Sequence, residues 1–206
     1  MSMDVFVTGG TGYMGRHLIV QLAARGHRVR ALVRRSSAGR LPGTVTVEGD
    51  ALRSNDVAAA LRPGETLVHL VGTPHPSPAK AAEFERVDLT SIRASVDAAK
   101  QTGIAHLVYV SVAQLAPAMR AYVAARAAGE AAIAAARLAA TILRPWYVLG
   151  PGHRWPITLI PLYAVAKVIP AMRDTARRLD LVTISQMTTA CPQSSGRRSA
   201  RRAPKH

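Results

Sequence analysis

Three glycines near the start of the chain could bind a phosphorylated cofactor. Gly9, Gly12 and Gly15 follow the short apolar run 5–8 and open a segment with helical spacing. A glycine turn between a strand and a helix lets the backbone approach a pyrophosphate, and the free N–H groups of the helix N-terminus attract its charge. The pattern therefore predicts a dinucleotide-binding loop rather than an ordinary glycine turn. The cofactor contacts expected here are Gly9, Thr11, Gly12, Tyr13, Met14 and Gly15.

Two arginines indicate which dinucleotide would bind. An NAD site usually places Asp or Glu at the end of the second strand, where the carboxylate holds the ribose 2′-hydroxyl. This chain has Arg34 and Arg35 there, and no carboxylate follows until Glu48. Two guanidinium groups suit a 2′-phosphate because each donates paired, charge-assisted hydrogen bonds. We therefore expect NADP in preference to NAD; the alternative is that both arginines are solvated loop residues.

The histidines and cysteine, which could bind a metal or take part in catalysis, form no second motif. No group of His or Cys has the spacing of a metal site, so no metal is expected. His69 lies inside an apolar strand, which favours a buried, hydrogen-bonded core histidine over a ligand. His75 follows that strand on a loop between two prolines, where it could border a cofactor or be an ordinary loop residue.

The elements that must position the glycine loop alternate between strand and helix from residue 3 to about 145. This alternation predicts an α/β fold of Rossmann type, with a doubly wound parallel sheet between two helical layers. A single domain, 1–190, is expected, with an irregular or helical substrate-side part at 145–190 and a basic tail at 191–206. The expected strands are 5–8, 28–33, 44–47, 66–71, 105–110 and 140–143, and the expected helices are 13–25, 55–61, 79–101 and 118–138.

Composition argues against several classes of function. The formal net charge is +15, but five basic residues lie within the last ten, and aromatic residues make up only 4%. A nucleic-acid surface is therefore not expected. No uncharged apolar run reaches 18 residues, which argues against a membrane-spanning helix. The N-terminus does not resemble a signal peptide, and the single cysteine, Cys191, fits a reducing compartment, so a cytoplasmic location is expected.

The chain resembles the short-chain dehydrogenase/reductase superfamily, in its atypical, extended, NAD(P)H-binding branch of NmrA-like and epimerase-like proteins. The resemblance covers roughly residues 3–187. It rests on the glycine loop, on Gly49-Asp50, on Tyr109-Val110-Ser111, and on Leu143-Arg144-Pro145 followed by Gly150-Pro151-Gly152.

The resemblance implies further contacts with the cofactor. Asp50 and the adjacent Ala51 match the position whose acid contacts the adenine amino group. The residues that match the strand end lining the adenine ribose are Leu70, Val71 and Gly72. Pro145 would lie near the nicotinamide.

The resemblance also implies a catalytic group. Tyr122 matches the family's acid/base tyrosine, which exchanges a proton while hydride moves to or from the nicotinamide. The position four residues later holds Arg126 where the family has lysine, and this spacing places both side chains on one helix face. A guanidinium could stabilise a tyrosinate, but it does not reproduce the ammonium's hydrogen bonds. Ser111 is the candidate for orienting the substrate carbonyl.

Three functions remain open at this stage. The first is an NADP-dependent oxidoreductase acting on a small carbonyl compound, with Tyr122, Arg126 and Ser111 in catalysis. The second is a non-catalytic NADP(H)-binding sensor or assembly protein. The third is a membrane-surface protein anchored by the apolar segment 157–169 and the basic tail, and it is the least favoured because Pro161 interrupts that segment. The sequence specifies neither the substrate nor the oligomeric state.

Overall fold

The computed structural model describes residues 2–112, 119–145, 147–149 and 181–183. Strands and helices alternate along this part of the chain. The strands are β1 (Asp4–Thr8), β2 (Arg28–Val33), β3 (Val45–Glu48), β4 (Thr66–His69), β5 (His106–Val110), β6 (Ala140–Leu143), β7 (Tyr147–Leu149) and β8 (Leu181–Thr183). The helices are α1 (Tyr13–Ala24), α2 (Ser54–Ala60), α3 (Ala81–Glu83), α4 (Thr90–Thr102) and α5 (Arg120–Ala135).

Six of the strands form one parallel sheet in the order β3-β2-β1-β4-β5-β6. β1 lies between β2 and β4, where Val5 is opposite both Val29 and Thr66. The chain runs outward from β1 to β3 and then continues on the other side of β1, from β4 to β6. In doubly wound sheets such a reversal marks the crevice, at the carboxyl ends of the strands, where ligands bind. The predicted α/β fold is confirmed.

Both faces of the sheet are buried along the central strands β1, β4 and β5, whose alternate residues point to opposite faces. Phe6, Leu67 and Leu107 lie in a core with α2, α4 and α5. Val7, Val68 and their neighbours pack against α1 on the other face. Burial on both sides explains why these strands are continuous apolar runs without polar alternation.

The segment expected to be a helix at 79–101 is helical throughout but does not keep α-helical geometry. A 3₁₀ turn (Pro78–Lys80) leads into α3, and a π-helical turn (Phe84–Leu89) precedes α4. Within the π turn, Phe84 and Asp88 are both buried. β4 is also shorter than expected, because it ends at His69 and residues 70–73 continue as loop. Local apolar spacing could not predict either feature, since both are shaped by contacts with distant segments.

Parts of the sequence-based expectations lie outside the described residues. These are most of the substrate-side part at 145–190, the apolar segment 157–169, and the basic tail with Cys191. The strands β7 and β8 form a separate parallel pair. Among the described residues, no helix combines the length and apolar composition needed to cross a membrane.

Candidate cofactor cleft and catalytic helix

The glycine loop joins β1 to α1 in a turn that leaves no room for side chains. Gly9 has a φ of 76°, and its carbonyl oxygen accepts a hydrogen bond from the Gly12 amide at 3.1 Å. A Cβ at Gly9 would lie 2.7 Å from the Val71 amide nitrogen, and one at Gly15 would lie 2.6 Å from the Gly10 carbonyl oxygen. Position 9 therefore requires glycine for two reasons, the positive φ and the lack of space for a Cβ atom. This cradle, which a Cβ would fill, fits a closely approaching pyrophosphate.

The start of α1 is suited to an anion. Gly12 precedes the helix, no side chain caps the first turn, and that turn contains no acidic residue. The first N–H groups of a helix have no partner within the helix, so this turn and the helix dipole suit a phosphate. Thr11, Tyr13 and Met14 are half-buried beside the exposed Gly12.

The adenine end of the predicted cleft is polar and open. Arg34 and Arg35 are exposed where β2 ends, and the Arg35 guanidinium lies 3.6 Å from the Glu48 carboxylate. Such an exposed pair holds a side chain only weakly, so Arg35 remains free to turn toward a ligand. Asp50 accepts a hydrogen bond from the Leu52 amide at 3.0 Å. Asp50 and Ala51 are both half-buried.

The segment after β4 forms the wall opposite the glycine loop. The Leu70 amide donates to the Thr8 carbonyl oxygen at 3.0 Å, which ties this segment to the end of β1. Leu70, Val71 and Gly72 are half-buried, whereas Thr73 is buried. The strand-end residues implied by the resemblance therefore lie directly beside the glycine loop.

Tyr122 lies half-buried in the first turn of α5. Its ring packs against Phe84 of the π turn, with ring centroids 5.0 Å apart. The Arg126 guanidinium lies 5.3 Å from the Tyr122 ring centroid and 5.8 Å from that of Tyr109 on β5. The structure therefore brings the predicted tyrosine and arginine together, between α5 and the carboxyl ends of β4 and β5.

Arg126 is buried and bound on several sides. It donates to Asp88 at 2.7 Å, to the Val110 carbonyl oxygen at 3.0 Å and to the Val71 carbonyl oxygen at 3.4 Å. Burial alone would lower the pKa of Arg126, but nearby Tyr122, Tyr109 and Asp88 raise it above its usual value. Arg126 is thus a permanent cation that serves the strand ends as well as the tyrosine.

Asp88 was not predicted as a site residue. A signal was present, because Asp88 lies four residues after Phe84 and four before Ile92, which are both apolar and were placed close to one face of the expected helix. A carboxylate on the apolar face of a helix requires a cationic or donor partner. Its partner, Arg126, is 38 residues away in the sequence.

Ser111 forms a hydrogen bond with a second buried acid. Its hydroxyl donates to Glu130 of α5 at 2.6 Å, and Ser111 is buried. Arg144 donates to the same carboxylate through Nε at 2.9 Å, and this hydrogen bond raises the pKa of Arg144. Pro145, half-buried, follows directly. Ser111 remains a predicted orienting group, and in this structure its proton is directed at Glu130.

His69 belongs to the core, as the sequence analysis predicted. Its Nδ1 lies 3.0 Å from both the Thr8 and Ser95 hydroxyl oxygens, and its Nε2 lies 3.3 Å from that of Ser91. Burial, followed by the charge of Arg126, lowers the pKa of His69 to about 3. The ring is therefore neutral at physiological pH. His75 is exposed on its loop, with a φ of 48°.

Comparison with known families identifies the same region of the chain. A family model described as NAD(P)H-binding matches residues 9–157, which contain the glycine loop, the strand ends and α5.

Individual relatives are longer than this chain. Ceramide reductase from Caulobacter vibrioides is 34% identical over 177 residues, covering 84% of this chain and 55% of that protein. A Stigmatella aurantiaca protein, 4-hydroxy-2-methyl-3-oxo-4-farnesyl-3,4-dihydroquinoline-1-oxide ketoreductase, is 33% identical over 112 residues, covering 53% of this chain and 33% of that protein. The chain therefore spans about half or less of the length of these relatives.

Solved structures agree on the fold. The Bordetella bronchiseptica enzyme WbmH, in complex with NAD+, superimposes with a TM-score of 0.71 at 19% identity, covering 95% of this chain and 73% of that one. MoeE5, in complex with UDP-glucose and NAD, superimposes with a TM-score of 0.69 at 23% identity, covering 94% of this chain and 72% of that one. At these identities the likeness concerns the fold alone.

Proposed function

Because the chain belongs to the NAD(P)H-binding family within the short-chain dehydrogenase/reductase superfamily, we propose that it is an NADP-dependent oxidoreductase for a carbonyl–alcohol pair. The observation that carries this proposal is the placement of Tyr122 above the fixed cation Arg126, at the sheet edge that also holds the glycine loop. A phenol beside a permanent cation can give up and regain a proton.

The proposed reaction balances as a two-electron reduction. A nicotinamide held at the glycine loop would supply the hydride for the carbonyl carbon. Tyr122 gives its hydroxyl proton to the carbonyl oxygen, so that a ketone becomes a secondary alcohol. Arg126 stabilises the remaining tyrosinate by its charge, and solvent restores the proton. In the oxidative direction the same groups act in reverse.

The residues at the adenine end support NADP over NAD. Arg34 and Arg35 are exposed at the end of β2, where a 2′-phosphate would meet two guanidinium groups. The residues proposed to hold the dinucleotide are Gly9, Thr11, Gly12, Tyr13, Met14, Gly15, Arg34, Arg35, Asp50, Ala51, Leu70, Val71, Gly72 and Pro145. A cytoplasmic location, expected from the sequence, belongs to this proposal.

For the substrate we propose a lipophilic ketone. The support is that the named relatives include a reductase of ceramide and a ketoreductase of a farnesylated quinoline oxide. Keto-lipids dispersed in detergent should therefore be reduced faster than short water-soluble ketones at equal concentration. Faster turnover of the short ketones would contradict this choice of substrate class.

The direct test of the function is Tyr122→Phe. The variant keeps the ring that packs on Phe84 but loses the hydroxyl, so kcat for ketone reduction should fall by about a hundredfold or more. NADPH oxidation followed at 340 nm measures the rate, and fluorescence titration confirms that NADPH still binds. Equal kcat values in the wild-type protein and in Tyr122→Phe would show that the Tyr122 hydroxyl takes no part in catalysis.

A non-catalytic NADP(H)-binding protein is the second candidate. It is favoured by Ser111, whose hydroxyl is directed at Glu130, and by Arg126, whose donors reach Asp88 and two backbone carbonyl groups. Cofactor binding without turnover of any ketone, in both the wild-type protein and Tyr122→Phe, would establish this alternative.

A further inference from the structure

The π turn before α4 presents Asp88 to the loop after β4. Asp88 is fully buried, and its Oδ2 accepts two hydrogen bonds from Thr73, one from the amide at 2.9 Å and one from the hydroxyl at 2.6 Å. Its other oxygen, Oδ1, accepts the hydrogen bond from Arg126. One carboxylate therefore connects α5 to the backbone just beyond Gly72.

Arg126 closes the same arrangement from the other side. It donates to the carbonyl oxygens of Val71 and Val110, so it spans the ends of two neighbouring strands. A Cβ at Gly72 would collide with the guanidinium, so the backbone of residues 71–73 lies directly against it. The same segment faces Gly9, whose missing Cβ would collide with the Val71 amide nitrogen.

From these contacts we propose that Asp88 and Arg126 form a positioning pair that holds residues 71–73 in the conformation that receives the dinucleotide. The inference rests on the proposed cofactor site. Its new content is that Asp88, which is fully buried against Thr73 and Arg126, controls dinucleotide affinity through these two residues.

The chemistry of the pair suits this role better than a lysine would. A guanidinium presents several N–H donors in a fixed planar fork, so it can bind one carboxylate and two carbonyl oxygens at once. An ammonium group is a compact point charge with three rotatable donors, and it would not span both strand ends as rigidly. Arg126 therefore gains a structural task at the position where the family has lysine.

The test is the isosteric variant Asp88→Asn, measured by fluorescence titration with NADPH and with NADH. The amide removes the charge and replaces one acceptor oxygen with a donor, so residues 71–73 lose their fixed anchor. We expect the Kd for both dinucleotides to rise by about tenfold, which corresponds to the loss of a charge-assisted hydrogen bond. The ratio of the two Kd values should not change, because Arg34 and Arg35 are untouched.

The chain offers a matched control in Glu65→Gln. Glu65 is also a buried carboxylate that binds an arginine, Arg30, at 2.8 Å, and it also accepts a backbone amide hydrogen bond, from Arg62. It precedes β4 at the edge of the sheet opposite the cleft. Glu65→Gln should therefore lower thermal stability as Asp88→Asn does, while the Kd for NADPH stays within about twofold of wild type.

A second variant covers the case in which Asp88→Asn fails to fold. Arg126→Lys keeps the positive charge but loses the planar guanidinium, so it should raise the Kd for both dinucleotides by a similar factor. Where both variants fold, the double variant should have a Kd no higher than that of the single variant that binds less tightly, because the two residues act as a unit.

Two outcomes would overturn the inference. One is a wild-type Kd in Asp88→Asn or, if that variant is unfolded, in Arg126→Lys. The other is an equal loss of affinity in Glu65→Gln. The proposed function fails separately, if the wild-type protein binds NADPH yet reduces no ketone.

Discussion

Arg126 shows how a single side chain can serve two ends of a site. Its charge lies beneath the Tyr122 ring, and its donors reach Asp88 and the ends of β4 and β5. The replacement of the family's lysine therefore has a visible consequence at the residue scale: both terminal nitrogens of the cation donate hydrogen bonds to the protein itself. Removing it would unsettle both the acid/base group and the wall of the cleft.

Cofactor preference is also decided by individual residues. Changing both Arg34 and Arg35 to Ala should raise the Kd for NADPH by about tenfold or more, because charge-assisted bonds to the 2′-phosphate are lost. The Kd for NADH should change by less than about twofold, since NADH lacks that phosphate. Fluorescence titration with both dinucleotides provides the measurement.

The control for this prediction removes the same charge elsewhere. Arg93 and Lys100 are exposed on α4 and line a shallow depression between α4 and α5. Changing both to Ala lowers the net charge equally, so it reports any long-range electrostatic effect. If this control raised the Kd for NADPH as much as the Arg34/Arg35 variant does, the assignment of the two arginines to the phosphate would be wrong.

At the scale of elements, helix α5 is fixed to the sheet by a close approach at Gly129. A Cβ at this position would lie 2.8 Å from both Ile92 Cγ2 and the Tyr109 hydroxyl oxygen. Burial raises the pKa of Tyr109, so its hydroxyl keeps its proton as it meets the helix backbone. The helix that presents Tyr122 and Arg126 therefore depends on a glycine for its distance from β5.

Gly129→Ala should lower the free energy of unfolding by about 1–3 kcal/mol, although alanine is the better helix former, because the added methyl overpacks the contact. Urea denaturation followed by circular dichroism measures the change. Ala131→Gly, at an exposed position of the same helix, gives the size of the propensity effect alone, about 0.5–1 kcal/mol. An increase in stability in Gly129→Ala would show that the contact is loose.

The elements differ in how far they could be predicted. β1, β5 and β6 are largely apolar runs bounded by glycine, proline or charge, and β2 ends in such a run, so local pattern identified all four to within about a residue. The π turn and the loop that follows β4 are joined by the Asp88–Thr73 contact, and Asp88 also binds Arg126; a local pattern contains no information about such distant partners. Sequence therefore predicted the glycine loop and the Tyr122–Arg126 pair but missed the acids Asp88 and Glu130.

At the scale of the whole molecule, acid should destabilise the fold through His69. Its pKa is about 3 in the folded chain and about 6.5 when unfolded, so the unfolded state binds the proton more readily. The neutral ring makes its full contribution to the free energy of unfolding above about pH 6.5. This contribution is lost as the pH falls, at about 1.4 kcal/mol per pH unit at most.

This pH dependence can be isolated with His69→Gln. The free energy of unfolding, measured by urea denaturation between about pH 4 and 6.5, should fall less steeply in His69→Gln than in the wild-type protein. His75→Asn removes an exposed histidine from a position with positive φ, which Asn tolerates, and it should keep the wild-type slope. Identical slopes in all three proteins would mean that His69 has the same pKa in the folded and unfolded states.

The bonds from Arg126 to the strand ends also bear on the thermodynamics of association. Because residues 71–73 are already ordered by Asp88 and Arg126, the incoming dinucleotide meets a wall whose conformational entropy was lost during folding. Binding then requires little further ordering of this wall. The encounter rate should be governed by diffusion and by the attraction of a cationic surface for a polyanion, with no slow rearrangement of the strand ends.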